Sequence, residues 1–299
     1  MICTIPGALH ERWLANVAVM TTILFARVRD TLRALLGDEQ YLGATPGIIA
    51  TVHTWSQTLM PHPPIHALVT GGGLTSTGHW ASVRHGFWLP SRVAMALFRG
   101  KLLAAIRRAS RQGQVQLPAG MRLQPCENLL NKLGGAKWNV HIRERYAHGE
   151  GVLIYLARYV RGGPLSNQRL ASSAQGEVTF RYRVHGEVSD RRPRGLMTLP
   201  IAGFIGRYLR HVPTPGSRVV RAYGLYAPPE GEALARCREQ VGQGPVVKPV
   251  ALDWQTACSQ QGTEHPERCP VCGQRLVCRD LIPRLRIPPP AQVSAAEVA

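Results

Sequence analysis

The sequence is poor in acidic residues. Its 299 residues include 18 Asp and Glu against 36 Lys and Arg, which leaves a net charge of +18 with histidine neutral. Each phosphate that a basic side chain neutralises releases condensed counterions, so a balance this basic predicts nucleic acid as the partner. An anionic membrane surface and an acidic protein are the weaker alternatives. Composition also excludes collagen-like, coiled-coil and intrinsically disordered chains.

The shortage of acid is sharpest in one window. Between Glu39 and Glu127 lie 87 residues without any Asp or Glu, and the same window carries a helical run from Ser91 to Arg111 with an arginine-rich face. A solvated helix face accounts for part of this pattern. An acid-free window of this length is also what a groove for a phosphodiester backbone requires. We therefore predict DNA contacts at Arg107, Arg108 and Arg111.

Long apolar runs are absent as well. The longest candidate, residues 13–26, spans 14 residues and contains Asn16, so it is too short to cross a bilayer and predicts a core helix. No signal-peptide pattern surrounds Met1. The seven cysteines are odd in number and scattered, which argues against a secreted disulfide framework. We expect a cytoplasmic protein, associated with the bacterial nucleoid when it is bound to DNA.

Hydrophobic periodicity predicts an α+β fold, favoured over a doubly wound sheet because helices alternate with predicted hairpins. The predicted helices cover residues 9–36 (one helix or two joined ones), 91–111, 151–160 and 199–211. The predicted strands cover residues 47–55, 65–70, 137–143, 177–185 and 218–226. We expect a main domain over 1–228, a helical segment with a cysteine-containing appendage over 229–281, and a disordered tail over 282–299.

A histidine motif lies inside the acid-free window. The run His62-Pro-Pro-Ile-His66 leads directly into an apolar strand and three glycines. Histidines two apart on a strand share a face and can hold one cation, whereas residues four apart lie about 13 Å from each other. His62 and His66 therefore cannot chelate together unless the two prolines bend the chain. Loop histidines without a ligand are the alternative interpretation.

Two tyrosines form a second motif. Tyr155 and Tyr159 are four residues apart on a predicted helix, so they share one face, with Arg158 and Arg161 near enough to hold phosphate oxygens. Packing of two phenols against a core is one interpretation of this spacing. The other is a pair of covalent nucleophiles that hold two DNA ends in turn.

Taken with further short motifs, the chain resembles the two-tyrosine rolling-circle transposases of insertion-sequence family 91. The motifs that carry the resemblance are Thr4-Ile5-Pro6, Pro46-Gly47-Ile48-Ile49, residues 53–59, residues 62–73, residues 137–140, residues 155–159, His211-Val212-Pro213 and residues 221–225. Their order and spacing match from residue 1 to about 240.

The resemblance implies a nuclease of the HUH type. Such an enzyme carries a His-hydrophobic-His pair on the central strand of an antiparallel sheet, together with a Mg or Mn ion. A tyrosine attacks single-stranded DNA at transposon ends and forms a 5′-phosphotyrosyl link, which conserves the bond energy for strand transfer. On the matching positions, Tyr155 and Tyr159 are the two nucleophiles and His66 is the second metal-binding histidine.

The chain departs from this family pattern at two points. Position 64, where the family has the first histidine, is Pro64, and proline has no ligand atom. Partial replacements for it are His53, Gln57, His62 and Glu127, and we expect His53 and His62 to join His66 as metal ligands. The cysteine-rich zinc-binding segment that family members carry before the Thr-Ile-Pro strand does not precede it here, which is the pattern of a truncated copy.

These departures leave the activity open. We expect slow nicking or none, and Pro64→His is expected to raise metal-dependent cleavage. Three alternatives remain at this point: a non-catalytic DNA-binding remnant of such a transposase, a rolling-circle replication initiator or relaxase, and a basic RNA-binding protein.

A third motif is Cys269-Pro-Val-Cys272-Gly near the C-terminus. One such knuckle supplies two of the four ligands of a structural zinc site, and Cys258, His265 and Cys278 lie nearby in the sequence. The expected structural zinc ligands are Cys258, Cys269, Cys272 and Cys278. Free thiols in a loose tail are the alternative.

Overall fold

The computed structural model describes residues 1–83, 89–116, 123–143, 146, 149–156, 163–183, 194–245, 247, 250–260, 267–269 and 271–277. The chain divides into two compact units, Met1–Pro245 and Val246–Ala299. None of the helices in these described ranges is both long enough and apolar enough to cross a membrane.

The larger unit is built on an antiparallel sheet of six strands. These are β1 (Ile2–Cys3), β2 (Thr45–Val52), β3 (Ile65–Leu74), β4 (Trp80–Ser82), β5 (Val140–His141) and β9 (Val220–Gly224). Their order is β5-β1-β3-β2-β9, with β4 also paired to β3, and every pairing is antiparallel. The sheet confirms the predicted α+β class and makes β3 its middle strand.

Four helices supply the core beside this sheet: α1 (His10–Ala15), α2 (Val17–Leu36), α3 (Ser91–Arg111) and α4 (Leu123–Gly135). The apolar period predicted over residues 9–36 forms two joined helices because Asn16 interrupts it. The Asn16 amide donates to the carbonyls of Arg12 and Gln116, at 3.0 and 2.8 Å, and accepts from the Gln116 N–H at 2.7 Å. Three backbone groups are thereby satisfied at the break.

The core between α3 and the end of α4 is aromatic. Phe98 and Trp138 are buried with their ring centroids 5.9 Å apart in an edge-to-face arrangement, and the Trp138 indole N–H donates to the carbonyl of Leu133. Burying a side chain of this size contributes about 2 kcal/mol or more. This packing fixes α3 and α4 beside the sheet.

A second antiparallel sheet follows in the chain. Its strands are β6 (Leu170–Ala174), β7 (Glu177–Arg183) and β8 (Arg194–Pro200), in the order β6-β7-β8. Gln175 and Gly176 both have positive φ, of 53° and 79°, as a two-residue hairpin turn between β6 and β7 requires. Helix α6 (Ile201–Leu209) covers one face, where Phe204 packs on the buried Phe180.

The remaining helices differ from the predicted bounds. Helix α5 (Gly149–Leu156) begins two residues before the predicted helix, and residues 157–162 lie outside the described ranges. The helix predicted over 199–211 begins at Ile201 because β8 extends to Pro200. Two further helices are α7 (Gly231–Gln240) and α8 (Trp254–Gln260). The predicted tail over 282–299 also lies outside the described residues.

Candidate active site

His66 lies at the centre of the larger sheet. It belongs to β3, where it is opposite Ile2 of β1 on one side and Thr51 of β2 on the other, and it is 4% exposed. Because β3 is hydrogen-bonded to a strand on each side, the backbone position of His66 is fixed, and with it the point at which the imidazole is attached.

His53 is brought to His66 by the register of β2 and β3. Val52 is opposite Ile65 and Thr51 is opposite His66, so one further step of the same register places His53 opposite Pro64. Directly opposed residues share a face, and position 64 shares that face with His66. The two imidazole centroids are 4.6 Å apart. The structure therefore has a histidine across from the position where the family pattern has its first one.

Pro64 is buried immediately before the first residue of β3. A proline there removes no hydrogen bond from the strand ladder, because the pairing of β2 with β3 begins at Ile65. The sheet thus accommodates the departure from the family pattern without a bulge at this point.

His62 reaches the same region through the loop that connects β2 to β3. The His62 N–H donates to the carbonyl of Thr54 at 2.8 Å, and Trp55 forms a bridge with Pro61. The loop therefore folds back on itself, which returns His62 to the vicinity of His53. The His62 ring also meets His10 edge to face, with centroids 5.7 Å apart.

Burial keeps the two central histidines neutral. It lowers the pKa of His53 to about 4, with smaller contributions from the charges of His62 and His211. Burial likewise lowers the pKa of His66 to about 3, assisted by the charge of His53. Near pH 7 both imidazoles are unprotonated, which is the form that binds metal ions.

The depressed pKa values predict a loss of stability in mild acid. The unfolded chain binds protons at these histidines below about pH 6.5, while the folded chain resists until about pH 4, so stability falls as the pH drops through this window. Between about pH 6.5 and pH 5, each histidine should lower the free energy of unfolding by roughly 2 kcal/mol, because one pH unit corresponds to about 1.36 kcal/mol. Denaturant unfolding of the full chain in EDTA, between pH 7.5 and pH 5, measures the effect.

His53→Asn with His66→Asn should flatten this dependence, whereas His79→Asn, which changes an exposed histidine, should leave it in place. An equally steep loss of stability in the His53 and His66 double variant would contradict the assignment of the effect to this pair.

His211 fixes the loop rather than extending the histidine pair. It is 6% exposed, its Nε2 is 3.0 Å from the carbonyl oxygen of Leu59, and its Nδ1 is 2.9 Å from the Thr54 hydroxyl. A carbonyl only accepts, so Nε2 carries the proton and Nδ1 accepts from the Thr54 O–H. The sequence analysis treated His211 as part of a family motif and assigned it no role, because its partners lie more than 150 residues away.

The helix that carries Tyr155 begins near the middle strand. Val152 of α5 and Tyr146 line a cavity of about 300 Å³ together with Ala67 and Val69 of β3. Tyr155 lies within α5, one turn after Val152. Three of the predicted site residues, Tyr159, Arg158 and Arg161, lie outside the described residues.

The predicted DNA-binding arginines of α3 have different surroundings. Arg107 and Arg111 both form ion pairs with Glu127 of α4, at 3.1 and 3.0 Å, and Arg107 also donates to Asn131. Arg108 is exposed. Glu127, one of the alternatives for the missing metal ligand, is thus engaged by two guanidinium groups. DNA binding by α3 stays a prediction, and two of the three arginines predicted to make it are already paired with Glu127.

The cysteine knuckle has the geometry of a tight turn. The Cys269 N–H donates to the Gln274 carbonyl, the Gly273 N–H donates to the Cys269 carbonyl, and Gly273 has a φ of 71°. Hydrogen bonds to its sulfur from the backbone of Cys272 and Val271 lower the pKa of Cys269. Cys258 lies in α8, and Cys278 and His265 lie outside the described residues, so structural zinc stays a prediction.

Across the described part of the chain, no group of three or more His, Cys, Asp or Glu side chains is placed to hold a metal ion. Of the three predicted metal ligands, the structure brings the rings of His53 and His66 into contact and places His62 beside them. A cation at this pair would need its remaining ligands from elsewhere, such as water or a bound phosphate.

Comparisons with known proteins identify the family. Residues 47–233 match the family model described as "Putative transposase". Over 92% of its length the chain is 31% identical to "Putative transposase y4qJ" of Sinorhizobium fredii, of which it covers 70%. Over 93% of its length it is 27% identical to "Transposase for insertion sequence element IS801" of Pseudomonas savastanoi pv. phaseolicola, of which it covers 66%.

No solved structure matches the chain. The family match spans more than half of the sequence and includes β2 from Gly47 onward, β3, the histidine pair and α5. The chain therefore belongs to this transposase family, which confirms its resemblance to the two-tyrosine transposases.

Proposed function

We propose that this transposase nicks and joins single-stranded DNA through a 5′-phosphotyrosyl intermediate, with Tyr155 and Tyr159 as nucleophiles and a divalent metal ion. The observation that carries the proposal is the contact between His53 and His66 at the middle of the sheet, 4.6 Å between ring centroids. Two neutral, buried imidazoles on one sheet face are a site suited to a cation rather than to an ordinary core contact.

His53 and His66 are the residues that would hold the metal ion, and His62 is the nearest further imidazole. Two nitrogen ligands favour Mn²⁺ over Mg²⁺, which prefers oxygen ligands, and phosphate oxygens and water can complete either coordination shell. A bound divalent ion would polarise the scissile phosphate and offset the negative charge that develops on it.

The proposed reaction of the chain's own residues is a transesterification. The phenol oxygen of Tyr155 attacks the phosphorus, its proton passes to water, and the bond from phosphorus to the 3′ oxygen breaks. The departing 3′ oxygen takes up a proton, and the 5′ phosphate stays attached to the tyrosine. One phosphoester replaces another, so no nucleotide cofactor is consumed, and Tyr159 can repeat the step on a second DNA end.

The test is a covalent adduct. The full chain is incubated with a labelled library of single-stranded oligonucleotides and manganese, and the products are resolved under denaturing conditions. The proposal expects an SDS-resistant protein–DNA band that EDTA prevents. Binding to the same library with no adduct at any manganese concentration would instead identify a non-catalytic DNA-binding remnant, the candidate that Pro64 favours. Selective nicking of a plasmid origin would favour a replication initiator.

A further inference from the structure

The described residues of the second sheet, and those that follow it as far as β9, are basic and poor in acid. Among the described residues from 163 to 224 the only acidic residue is Glu177, whereas eight are arginines. The ion pairs of the described chain lie elsewhere, at Asp30, Glu127 and Glu267. The arginines of this region therefore have no carboxylate partner among the described residues.

Two of these arginines share the exposed face of β7. Arg181 and Arg183 are exposed and two residues apart, whereas Val178 and Phe180 on the other face are buried, with Phe180 against α6. Residues two apart on a strand are separated by about 7 Å, so the two guanidinium groups can reach separate anionic groups. Glu177 is four residues, or about 13 Å, from Arg181 along the same strand.

The rest of this face is polar and open. Thr179 and Thr198 lie on neighbouring strands with their hydroxyls 2.8 Å apart, and Ser172 is exposed opposite Thr179. Leu196, opposite Arg181, is 66% exposed. Hydroxyls beside unpaired guanidinium groups are the side chains that most often contact phosphate and sugar.

A third guanidinium lies beside β7, over the ring of Phe180 at 5.9 Å and therefore toward the face opposite Arg181 and Arg183. Arg169 donates to the carbonyls of Arg181, Pro164 and Gln57, at 2.8, 3.3 and 2.5 Å. Burial and the charge of the neighbouring Arg183 lower the pKa of Arg169. Neighbouring positive charges repel each other, and an anion bound at Arg183 would reduce that repulsion.

The same arginine connects the second sheet to the candidate active site. Gln57, which accepts from Arg169, and Thr58, whose carbonyl accepts from Arg207 at 3.5 Å, are both on the loop between β2 and β3. That loop begins with His53. Arg169 thus connects β7, through the carbonyl of Arg181, to the loop that begins with His53. A DNA strand bound on the exposed face of β7 would lie on a strand that is hydrogen-bonded, through Arg169, to this loop.

We propose that the exposed face of β7, carrying Arg181 and Arg183, binds the phosphate backbone of the single-stranded DNA substrate. This inference rests on the proposed function and assigns a binding surface to it. Charge complementarity selects the occupant: the described part of this stretch has several cations and one acid, which suits a polyanion. Among the described residues of this stretch, Glu177 is the single acid with which the arginines of a second copy could pair.

The experiment measures binding, not cleavage. A fluorescent oligo-dT strand is titrated with the full chain in EDTA at several salt concentrations. Arg181→Gln with Arg183→Gln should reduce the slope of log affinity against log salt by about 1.4, since each phosphate contact on a single strand contributes about 0.7. Arg27→Gln with Arg29→Gln removes the same charge from arginines already paired with Asp30, and should leave the slope unchanged.

A charge-preserving pair guards against misfolding. Arg181→Lys with Arg183→Lys should retain the wild-type slope, and circular dichroism checks that both β7 variants fold. A wild-type slope in the glutamine pair would overturn the proposal, and a changed oligomeric state with that same slope would assign the face to a second copy. If the wild type still forms the covalent adduct, the proposed function holds even when the slope shows that β7 does not bind DNA. The binding surface and the proposed function can therefore fail separately. Equal competition by duplex DNA would overturn the single-strand assignment.

Discussion

Replacing Tyr155 and Tyr159 together with phenylalanine is expected to abolish the covalent adduct completely. The substitution removes both phenol oxygens, so no atom remains that can form the phosphotyrosyl bond. Each ring is retained, and the free energy of unfolding should fall by at most about 1 kcal/mol per lost hydroxyl. Adduct yield, unfolding and affinity for single-stranded DNA are measured on the same preparation.

The single variants sharpen this result. If the tyrosines act in turn, either one alone should still give an adduct, while joining of a second DNA end should be lost. Tyr41→Phe with Tyr182→Phe, which removes two phenol oxygens from half-buried tyrosines elsewhere, is the matched control and should retain full activity. An undiminished adduct in the Tyr155 and Tyr159 double variant would eliminate both residues as nucleophiles.

Strong local signals explain which parts of the fold were predictable. Helix α3 matches its predicted bounds because an apolar period runs without interruption from Pro90, which starts it, to the Gln112-Gly113 turn. Strand β6 was missed because all five of its residues are exposed, so it has no alternation of buried and exposed positions. Strand β8 was missed because its pairing with β7 is set by contacts across an intervening segment.

The candidate site needed information that no local pattern contains. The sequence named His53 as an expected metal ligand together with His62, but it gave no reason to rank His53 above His62 as the replacement for the absent histidine. What distinguishes it is the pairing of Thr51 with His66, because that register alone determines that His53 lies across from Pro64. His211 and Arg169 reach the same loop from distant parts of the chain. Contacts of this separation decide the geometry of the site and leave no periodic trace in the sequence.

The loop between β2 and β3 links these observations. Leu59 in this loop has a positive φ of 60°, which is uncommon for a residue with a branched side chain, and it is fully buried. The Leu59 carbonyl accepts a hydrogen bond from His211. The carbonyls of the two preceding residues, Gln57 and Thr58, accept from Arg169 and Arg207 respectively. Three side chains from the second half of the chain thus stabilise the loop that begins with His53. Preorganisation of this kind would keep the histidine pair in place before DNA binds.

His53→Ala and His66→Ala are each expected to reduce manganese-dependent cleavage at least a hundredfold, on the order expected when a ligand is lost and the reacting groups are displaced by about 1 Å. His79→Ala, a change of an exposed histidine, should have no effect and serves as the control. Oligonucleotide nicking across a manganese titration measures all three variants, and unfolding curves confirm that they are folded.

Pro64→His then distinguishes a working replacement from a decayed site. Because His53 lies across from Pro64 in the register of β2 and β3, Pro64→His should rescue the His53→Ala variant: the new imidazole would occupy the space that the substitution vacates, on the face of His66. In the wild type the same change should have a smaller effect, because in the proposed site His53 supplies that ligand. Pro64→His would not disturb the hydrogen bonds between β2 and β3, since their pairing begins at Ile65. Suppose instead that Pro64→His raises cleavage by the wild type a hundredfold and that His53→Ala alone does not reduce cleavage. That result would show that His53 contributes nothing to metal-dependent cleavage. Absence of cleavage in every variant would mark the chain as a DNA-binding remnant.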